Sequence, residues 1–431
     1  MGISRRAAGL ALIGVVGSFA AAASAAADTY KPTRFDDPPP GKCKPSDCSL
    51  REAIDAANTD SNRDIVRLAK GKYKIQRPHV PGFEDNSAGD FRITYPATIR
   101  GKGPKATKID ANGLDRVFYV GGVSSTSPVT FASLMMKGGD PDAVANDPQH
   151  PPVGGAIYAY TEAVKLNRVA ISHNDANSGG GARFQVTTLK VSKSTISNNT
   201  AIDGGGIYLP SAIFTTPTAT IRETTVSGNT AGRGGGVLTE ALPGASLQPP
   251  VVTLINSTVA GNSVGGGTGT AQGGGILATG SGDSITLDNS TVAYNQAGDA
   301  VQDGAGGGIY QSSGATFTLG DSLIAQNIAA QGGSVGTGVV GSQCAGSFAG
   351  LGGVVVELQP GTVCSISGAI QEPDNAEIGE LASNGGPTRT VALEPQSAAI
   401  GYAVSCPPRD QRGVQRPATG CDTGAYEDEG P

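Results

Sequence analysis

The chain has 431 residues and a formal net charge of -6 at pH 7. That charge would repel a phosphate backbone and argues against nucleic acid as a partner. The 65 glycines and 27 prolines follow no Gly-x-y period, which excludes collagen, while the 38% hydrophobic content is spaced regularly enough to line a narrow core.

Residues 1–27 are predicted to be a secretory signal peptide. Two arginines precede an apolar run from Ala7 to Ala22, and small residues follow up to Ala27. This is the order of segments in a secretory leader, and we expect cleavage before Asp28. No later stretch approaches the roughly 18 apolar residues that a membrane span needs. The sequence therefore predicts a protein outside the cytoplasm, without a membrane span.

The cysteines suit an oxidising compartment. Six cysteines allow 15 connectivities, of which pairing between sequence neighbours is the simplest. None of the histidines, His79, His150 and His173, is near a cysteine, so we expect no zinc site and no cofactor. The neighbouring cysteines are Cys43 with Cys48, Cys344 with Cys364, and Cys406 with Cys421.

A short helix is predicted after the proline-rich lead-in. Ser49 followed three residues later by Glu52 forms a capping box, and apolar residues then recur on one helical face. Such a helix would cover the open end of a β-structure. Arg51 and Asp55 are predicted to be solvated on its outer face. The stretch Cys48–Ala53 resembles the N-terminal signature of bacterial secreted CSLREA-domain proteins, which implies that a right-handed parallel β-helix follows it.

From Asp64 onward, short β-rich runs alternate with turn residues, and an asparagine phrase then recurs at intervals of 25 to 33 residues. A period in that range predicts a solenoid whose coils bury their apolar faces against each other. Asparagine tolerates a left-handed turn conformation, and its amide can hydrogen-bond the same amide one coil away. A glycine cluster follows each asparagine and predicts a second tight corner. The predicted ladder residues are Asn174, Asn199, Asn229, Asn262, Asn295 and Asn327.

Two further resemblances bear on the repeats and on the C-terminus. Gly154–Ile157 reads Gly-Gly-Ala-Ile, one tetrapeptide of the polymorphic outer membrane protein repeats, and the asparagine phrase is similar to their Phe-x-x-Asn with Ile or Val replacing Phe. Asn384–Thr388, Asp410–Gly413 and Cys421–Glu427 resemble the choice-of-anchor Q domain. That domain precedes varied surface anchors. Because no sorting motif follows here, we expect release from the cell, and the resemblance leaves a location at the cell surface as the alternative.

The predicted fold is all-β: a pectin-lyase-like, right-handed parallel β-helix with a short N-terminal capping helix and a small disulfide-containing C-terminal domain. The expected segments are the signal peptide at 1–27, the lead-in and cap at 28–95, the β-helix repeats at 96–340 and the choice-of-anchor Q-like domain at 341–431.

Two functional hypotheses remain open. The first is a monomeric, non-catalytic, adhesin-like module that binds extracellular polysaccharide or cell-surface components. The alternative is a lyase or hydrolase of acidic polysaccharide, which would need a base near carboxylates that hold Ca²⁺ or assist hydrolysis. The least unsuitable catalytic candidates are Lys137, Asp140 and Asp142. They lie with Asp147 and His150 at a proline-rich insertion that is expected to be a solvated loop.

Sugar-binding grooves commonly use aromatic platforms, above all tryptophan, and the chain has no tryptophan. Because fold alone does not give function, we favour the non-catalytic hypothesis. Tyr158, Tyr208 and Tyr310 recur after the glycine corners and are predicted to form an outer row. Such a row would serve either ligand contact or stacking between coils.

Overall fold

The computed structural model describes residues 26–122, 127–144, 147–213, 215–242, 244, 246–266, 269–330, 343–358, 363–368 and 370–430. Its architecture is the predicted right-handed parallel β-helix, with three long faces and in-register pairing from coil to coil. The predicted signal peptide falls outside the described residues, apart from its last two positions.

Each coil contributes one strand to each face, and four long strands bend from one face onto the next. The first face contains Thr29–Tyr30, Asp64–Arg67, Ala97–Arg100, Thr218–Arg222, Val251–Ile255, Ser284–Asp288, Thr316–Gly320 and Val363–Ser367. The second contains Gly71–Lys74, Thr107–Asp110, Thr195–Ser197, Thr225–Ser227, Thr258–Ala260, Thr291–Ala293, Leu323–Ala325, Val354–Val356 and Ile370–Gln371. The third contains Phe91–Ile93, Phe118–Gly121, Ile207–Pro210, Val237–Glu240, Ile276–Ala278 and Ile309–Gln311. The bending strands are Val129–Lys137, Ile157–Ser172, Ala182–Ser192 and Cys344–Gly350.

Smaller elements occupy the corners and the C-terminus. A narrow parallel sheet follows the asparagine corner and contains Asp175–Ser178, Thr200–Asp203, Thr230–Arg233, Ser263–Val264, Gln296–Ala297 and Ile328–Ala329. The remaining strand pairs are Ala212–Ile213 with Leu247–Gln248, Ala271–Gln272 with Gly304–Ala305, and Ile378–Ala382 with Thr390–Leu393. One 3₁₀ turn spans Pro141–Ala143.

The ladder asparagines are buried and connected. Asn229 is 0% exposed, and its side-chain oxygen accepts hydrogen bonds from both the backbone N–H (3.1 Å) and the side-chain amide (2.9 Å) of Asn199. Its own amide donates to Asn262 Oδ1 at 2.9 Å and to the backbone oxygen of Ile196 at 3.0 Å. The same pattern runs from Asn174 to Asn327 and ends on the Gln343 side chain. A buried amide is therefore satisfied on every rung.

The left-handed conformation belongs to the residue before each ladder asparagine. These preceding residues have φ between 55° and 66°, whereas the prediction had placed the asparagines themselves in that conformation. The physical reason is that the left-handed residue turns the chain, while the asparagine side chain must point inward to reach the next coil. The left-handed residues are His173, Asn198, Gly228, Gly261, Tyr294 and Gln326.

Glycine is required at the second corner because the coils approach each other closely. A Cβ atom at Gly206 would lie 2.5 Å from the backbone oxygen of Gly236 in the next coil. Gly204, at the start of the same cluster, has φ of +66°. A larger residue would thus push neighbouring coils apart or strain the backbone.

The N-terminal helix spans Leu50–Ala57 and begins with the predicted capping box of Ser49 and Glu52. The prediction for Arg51 was wrong, because its side chain is 0% exposed. Its guanidinium donates two hydrogen bonds to Asp37, at 2.7 and 2.9 Å, and one to the backbone oxygen of Gly89 at 2.8 Å. The lead-in and the loop before Phe91 fold over the helix and remove Arg51 from water. Asp55 is half-buried and accepts a hydrogen bond from Asn86.

The C-terminal region packs along the second face. Thr258 donates to Gln411 Oε1 at 2.7 Å, and the backbone N–H of Ala425 donates to Thr291 at 3.0 Å. Arg389 donates to Ser227 at 3.1 Å. The C-terminal region therefore covers the second face as far toward the N-terminus as the coil of Ser227. The outward side chains of the covered strands are consequently buried.

The predicted local cysteine pairs form disulfides, at Cys43–Cys48, Cys344–Cys364 and Cys406–Cys421. In the part of the chain that the structure describes, no helix has the length and apolar character needed to cross a bilayer.

The ladder predicts a specific loss of stability. Replacing Asn229 by Leu leaves the amides of both neighbouring rungs without their partners, which should lower the free energy of unfolding by roughly 2–4 kcal/mol. Thermal or denaturant unfolding of the purified protein measures this change. Asn177→Leu is the control, since Asn177 is exposed, and equal losses in the two variants would contradict the account.

Candidate functional site

The second face is covered over only part of its length. Beyond the reach of the C-terminal region, the outward residues of five successive strands form an open surface roughly 20 Å long at about 4.8 Å per coil. We call this surface the trough. Its two outward rows are Lys72, Lys108, Met135, Ala170 and Thr195, and Lys74, Asp110, Lys137, Ser172 and Ser197. Asp110, Ser172 and Ser197 are buried among the other residues of the trough.

The burial of equivalent positions shows where the cover ends. Thr225, Thr258 and Thr291 pair in register with Thr195 and are at most 1% exposed. Thr195 itself and Ala170, the next residue in the row, remain partly exposed. The trough is thus the section of this face that the chain leaves accessible.

Basic side chains surround the trough although the protein is acidic overall. Two carboxylates accompany them and each is paired: Asp110 lies 2.6 Å from Lys72 Nζ and 3.2 Å from Lys137 Nζ, and Glu223 lies 3.3 Å from Lys193 Nζ. Burial acts to raise the pKa of Asp110, but hydrogen bonds from the two lysines lower it below its usual value. The cations in the rows and along the edges of the trough, which together we call its basic rim, are Lys72, Lys74, Lys108, Lys137, Arg168, Lys193 and Arg389.

The three candidate catalytic residues occupy two adjacent places. Lys137 ends its strand on the rim of the trough, paired with Asp110. Asp140 and Asp142 lie around the next corner, where Asp175 joins them. Burial, together with the negative charge of Asp140, raises the pKa of both Asp142 and Asp175. The structure therefore groups Asp140 and Asp142 with a third carboxylate.

A buried polar cluster joins two loops outside the trough. The first loop is residues 75–90, and the second is residues 147–153, which belong to the proline-rich insertion. Asp147 and His150 were expected to be solvated, and this was wrong: they are 8% and 2% exposed. The cause is that the loops leave the solenoid in nearby coils and pack on each other, which local sequence does not reveal.

His79 is the residue that the sequence analysis missed. Its ring stacks on that of His150, with centroids 4.0 Å apart. His79 Nε2 lies 3.1 Å from Asp147 Oδ2, and His150 Nε2 lies 2.7 Å from Asp115 Oδ1. The available signal was that the chain has three histidines and that two of them lie in turn-rich insertions.

The carboxylates of this cluster have different pKa values because their surroundings differ. Burial and the charge of Asp115 raise the pKa of Asp90 to about 6. Burial acts to raise the pKa of Asp115 as well, but the hydrogen bond from His150 and the charge of Arg116 lower it below its usual value. Hydrogen bonds from the Gly82 backbone and from His79 lower the pKa of Asp147 to about 2. Asp115 and Asp147 are therefore ionised partners of the two imidazoles.

Potential metal-ligand atoms converge in the cluster. One donor atom each from His79, Glu84 and Asp147 lies within 4.8 Å of the others, and the same holds for His79, Asp115 and His150. A cleft of about 580 Å³ opens beside them and is lined by Asp142, Val144, Asp147, Pro148, His150, Pro152 and Asn177.

The predicted tyrosine row lies on the outer side of the third face. The Tyr119 and Tyr158 rings are 5.6 Å apart, and the Arg92 guanidinium lies 4.1 Å from the Tyr119 ring centre. Arg183 similarly lies 4.8 Å from the Tyr208 ring centre. Because these edge-to-face and arginine–ring contacts join adjacent coils, the row stabilises coil packing.

Comparison with protein families agrees with the architecture. Residues 152–292 match the family model described as right handed beta helix region. No curated protein matches the sequence. Among solved structures, the pectate lyase Pel9A is 13% identical, with a TM-score of 0.45 over 94% of this chain and 97% of that chain. The catalytic domain of a GH87 α-1,3-glucanase in complex with nigerose is 13% identical, with a TM-score of 0.33 over 78% of this chain and 69% of that one. Likeness at this level says nothing about activity.

The lowered pKa of Asp147 predicts a pH-dependent contribution to stability. Because its folded pKa of about 2 lies below the unfolded value of about 3.9, the stabilisation is fully present above the unfolded pKa and disappears as pH falls toward 2. The melting temperature of Asp147→Asn should therefore be lower than wild type at pH 6, with the difference shrinking between pH 4 and pH 2. A difference that stays constant across that range would contradict the assignment.

Proposed function

We propose that the protein is an extracellular β-helix module that binds acidic polysaccharide along the trough without cleaving it. The observation that carries this proposal is the basic rim of an uncovered sheet face on a chain of net negative charge. The positive electrostatic potential of these cations attracts polyanions, and ion pairs spread along the polymer hold it. The three disulfides are consistent with an extracellular location.

The shape of the trough supports an extended ligand. Its outward rows follow the sheet along the solenoid axis, with lysines on successive coils at one end and small side chains such as Ala170 and Thr195 at the other. Uronic-acid polymers present carboxylates at regular intervals, so several can be paired at once. Lysine is suited to this role because its flexible ammonium adapts to varied acceptors.

The side chains of the trough argue against hydrolysis there. Hydrolysis requires two carboxylates that are free to act as acid and base or nucleophile. The described trough residues supply Asp110 and Glu223, and both are held by lysines. This supports binding rather than turnover.

A lyase is the second candidate, and one observation favours it. Lys137 is on the rim, and Asp140, Asp142 and Asp175 gather at the corner that follows it. In a β-elimination, Lys137 would take the proton next to the substrate carboxylate, while the glycosidic C–O bond breaks and its oxygen takes a proton from water. The aspartates would hold a Ca²⁺ ion against the substrate carboxylate.

The test is a binding measurement with charge-matched variants. Calorimetry or affinity electrophoresis with polygalacturonate and alginate should detect binding that weakens as salt increases, and dextran should not bind. Exposed ion pairs contribute roughly 0.5 kcal/mol each, so Lys72→Ala/Lys108→Ala/Lys137→Ala should reduce affinity about ten-fold.

The matched control removes three cations from the first face of the same region. Arg100→Ala/Lys165→Ala/Lys190→Ala changes net charge equally, and these residues are exposed. Equal weakening in both triple variants would contradict a site in the trough. If unsaturated products accumulate with the wild type and not with Lys137→Ala or Asp140→Ala, the protein is a lyase and the proposal of binding without cleavage is wrong.

A further inference from the structure

We propose that His79, Glu84 and Asp147 form a binding site for one divalent transition-metal ion, with Zn²⁺ as the best-fitting ion, that fastens the first loop to the second. The residues come from two insertions: His79 and Glu84 from the first loop and Asp147 from the second. The site is separate from the trough and does not depend on what the trough binds.

The distances between the donor atoms suit a small ion. His79 Nε2 lies 3.1 Å from Asp147 Oδ2 and 3.7 Å from Glu84 Oε1. Ligands about 2.0–2.1 Å from a tetrahedral Zn²⁺ are separated from each other by roughly 3.3–3.5 Å. The observed separations lie on either side of that value, so an ion requires only small side-chain shifts.

A carboxylate oxygen between the histidines that accepts no hydrogen bond within the described part of the chain is a second, independent indication of a bound cation. Glu84 Oε1 is buried and accepts no hydrogen bond from the described residues. It faces His79 Nε2 at 3.7 Å and His150 Nδ1 at 3.4 Å. A buried carboxylate oxygen without a donor is unfavourable. A cation between Glu84 and His79 would satisfy it.

Neighbouring groups hold each ligand in place. Asp147 Oδ2 also accepts a hydrogen bond from the Gly82 backbone at 2.9 Å, and the other oxygen of Glu84 is paired with Arg92. The His79 ring lies against His150. Outer partners of this kind orient metal ligands and stiffen the site.

The chemistry of the ligands distinguishes between ions. Ca²⁺ and Mg²⁺ prefer oxygen donors, and Ca²⁺ takes six to eight of them. One imidazole with two carboxylates and room for water on the cleft side suits Zn²⁺ better. The cleft beside Asp147 and His150 provides access for the ion.

The site has a structural consequence for the two loops. His79 and Asp147 are 68 residues apart in sequence, and their loops belong to separate insertions of the solenoid. A metal bridge between them would stabilise the folded state in proportion to metal binding. The alternative, in which hydrogen bonds alone join the two loops, predicts no metal binding.

The experiment uses the secreted form, treated with a chelator and then dialysed. Titration with ZnCl₂ by calorimetry should give one Zn²⁺ per chain with a Kd in the micromolar range or below and a higher melting temperature, and CaCl₂ should give neither. Glu84→Gln and His79→Gln should each weaken Zn²⁺ binding by at least about 100-fold. His173→Gln is the matched control, because His173 is the third histidine and is exposed.

The variants also show whether a loss of binding is specific. Circular dichroism and metal-free melting temperature establish that Glu84→Gln is folded, and a Co²⁺ absorption spectrum reports tetrahedral ligation independently of stability. Absence of stoichiometric Zn²⁺ binding to the wild type would overturn the proposal. Binding that is unchanged in Glu84→Gln and His79→Gln would also overturn it, because the ion would then lie elsewhere.

Discussion

The stacked asparagine amides set the register of every coil. Each rung uses its side-chain oxygen to accept two hydrogen bonds from the preceding coil and its side-chain nitrogen to donate to the following one. Because both partners of each bond are buried, a slip of one residue would leave several amides without partners in an apolar interior. The ladder thereby keeps the outward residues of successive strands in straight rows. The continuous trough and the tyrosine row both depend on that alignment.

The need to keep the coils in register fixes the sequence of some parts of a coil and leaves other parts free to vary in length and sequence. The faces and the two corners are fixed by backbone pairing, by the amides and by glycines such as Gly206, whose added Cβ would meet the next coil. The insertions are free to differ because they leave the solenoid at its corners. Two of them are long enough to meet outside it, and there they bury Asp147, His150 and the side chain of His79. The buried ionisable cluster is thus a product of loop contact on a regular scaffold.

Periodic features of this structure could be predicted from sequence, and features formed by contact between distant segments could not. The spacing of the asparagines and the capping box of Ser49 and Glu52 are local patterns, and the structure contains both. Arg51 looked like a surface residue because its partner Asp37 lies in a lead-in without regular structure. His79 and His150 are 71 positions apart in the sequence. The boundary of the trough depends on where the C-terminal region stops, which no local pattern encodes.

Native-state hydrogen exchange at the ladder tests the central role of the stacked amides most directly. The backbone N–H groups of Asn199, Asn229, Asn262 and Asn295 each donate to the asparagine of the next coil. If the ladder fixes the coil register, these amides exchange only through global unfolding and rank among the slowest in the protein. If they exchange as fast as the amides of the exposed loops, the ladder does not hold the coils in register and the account is contradicted.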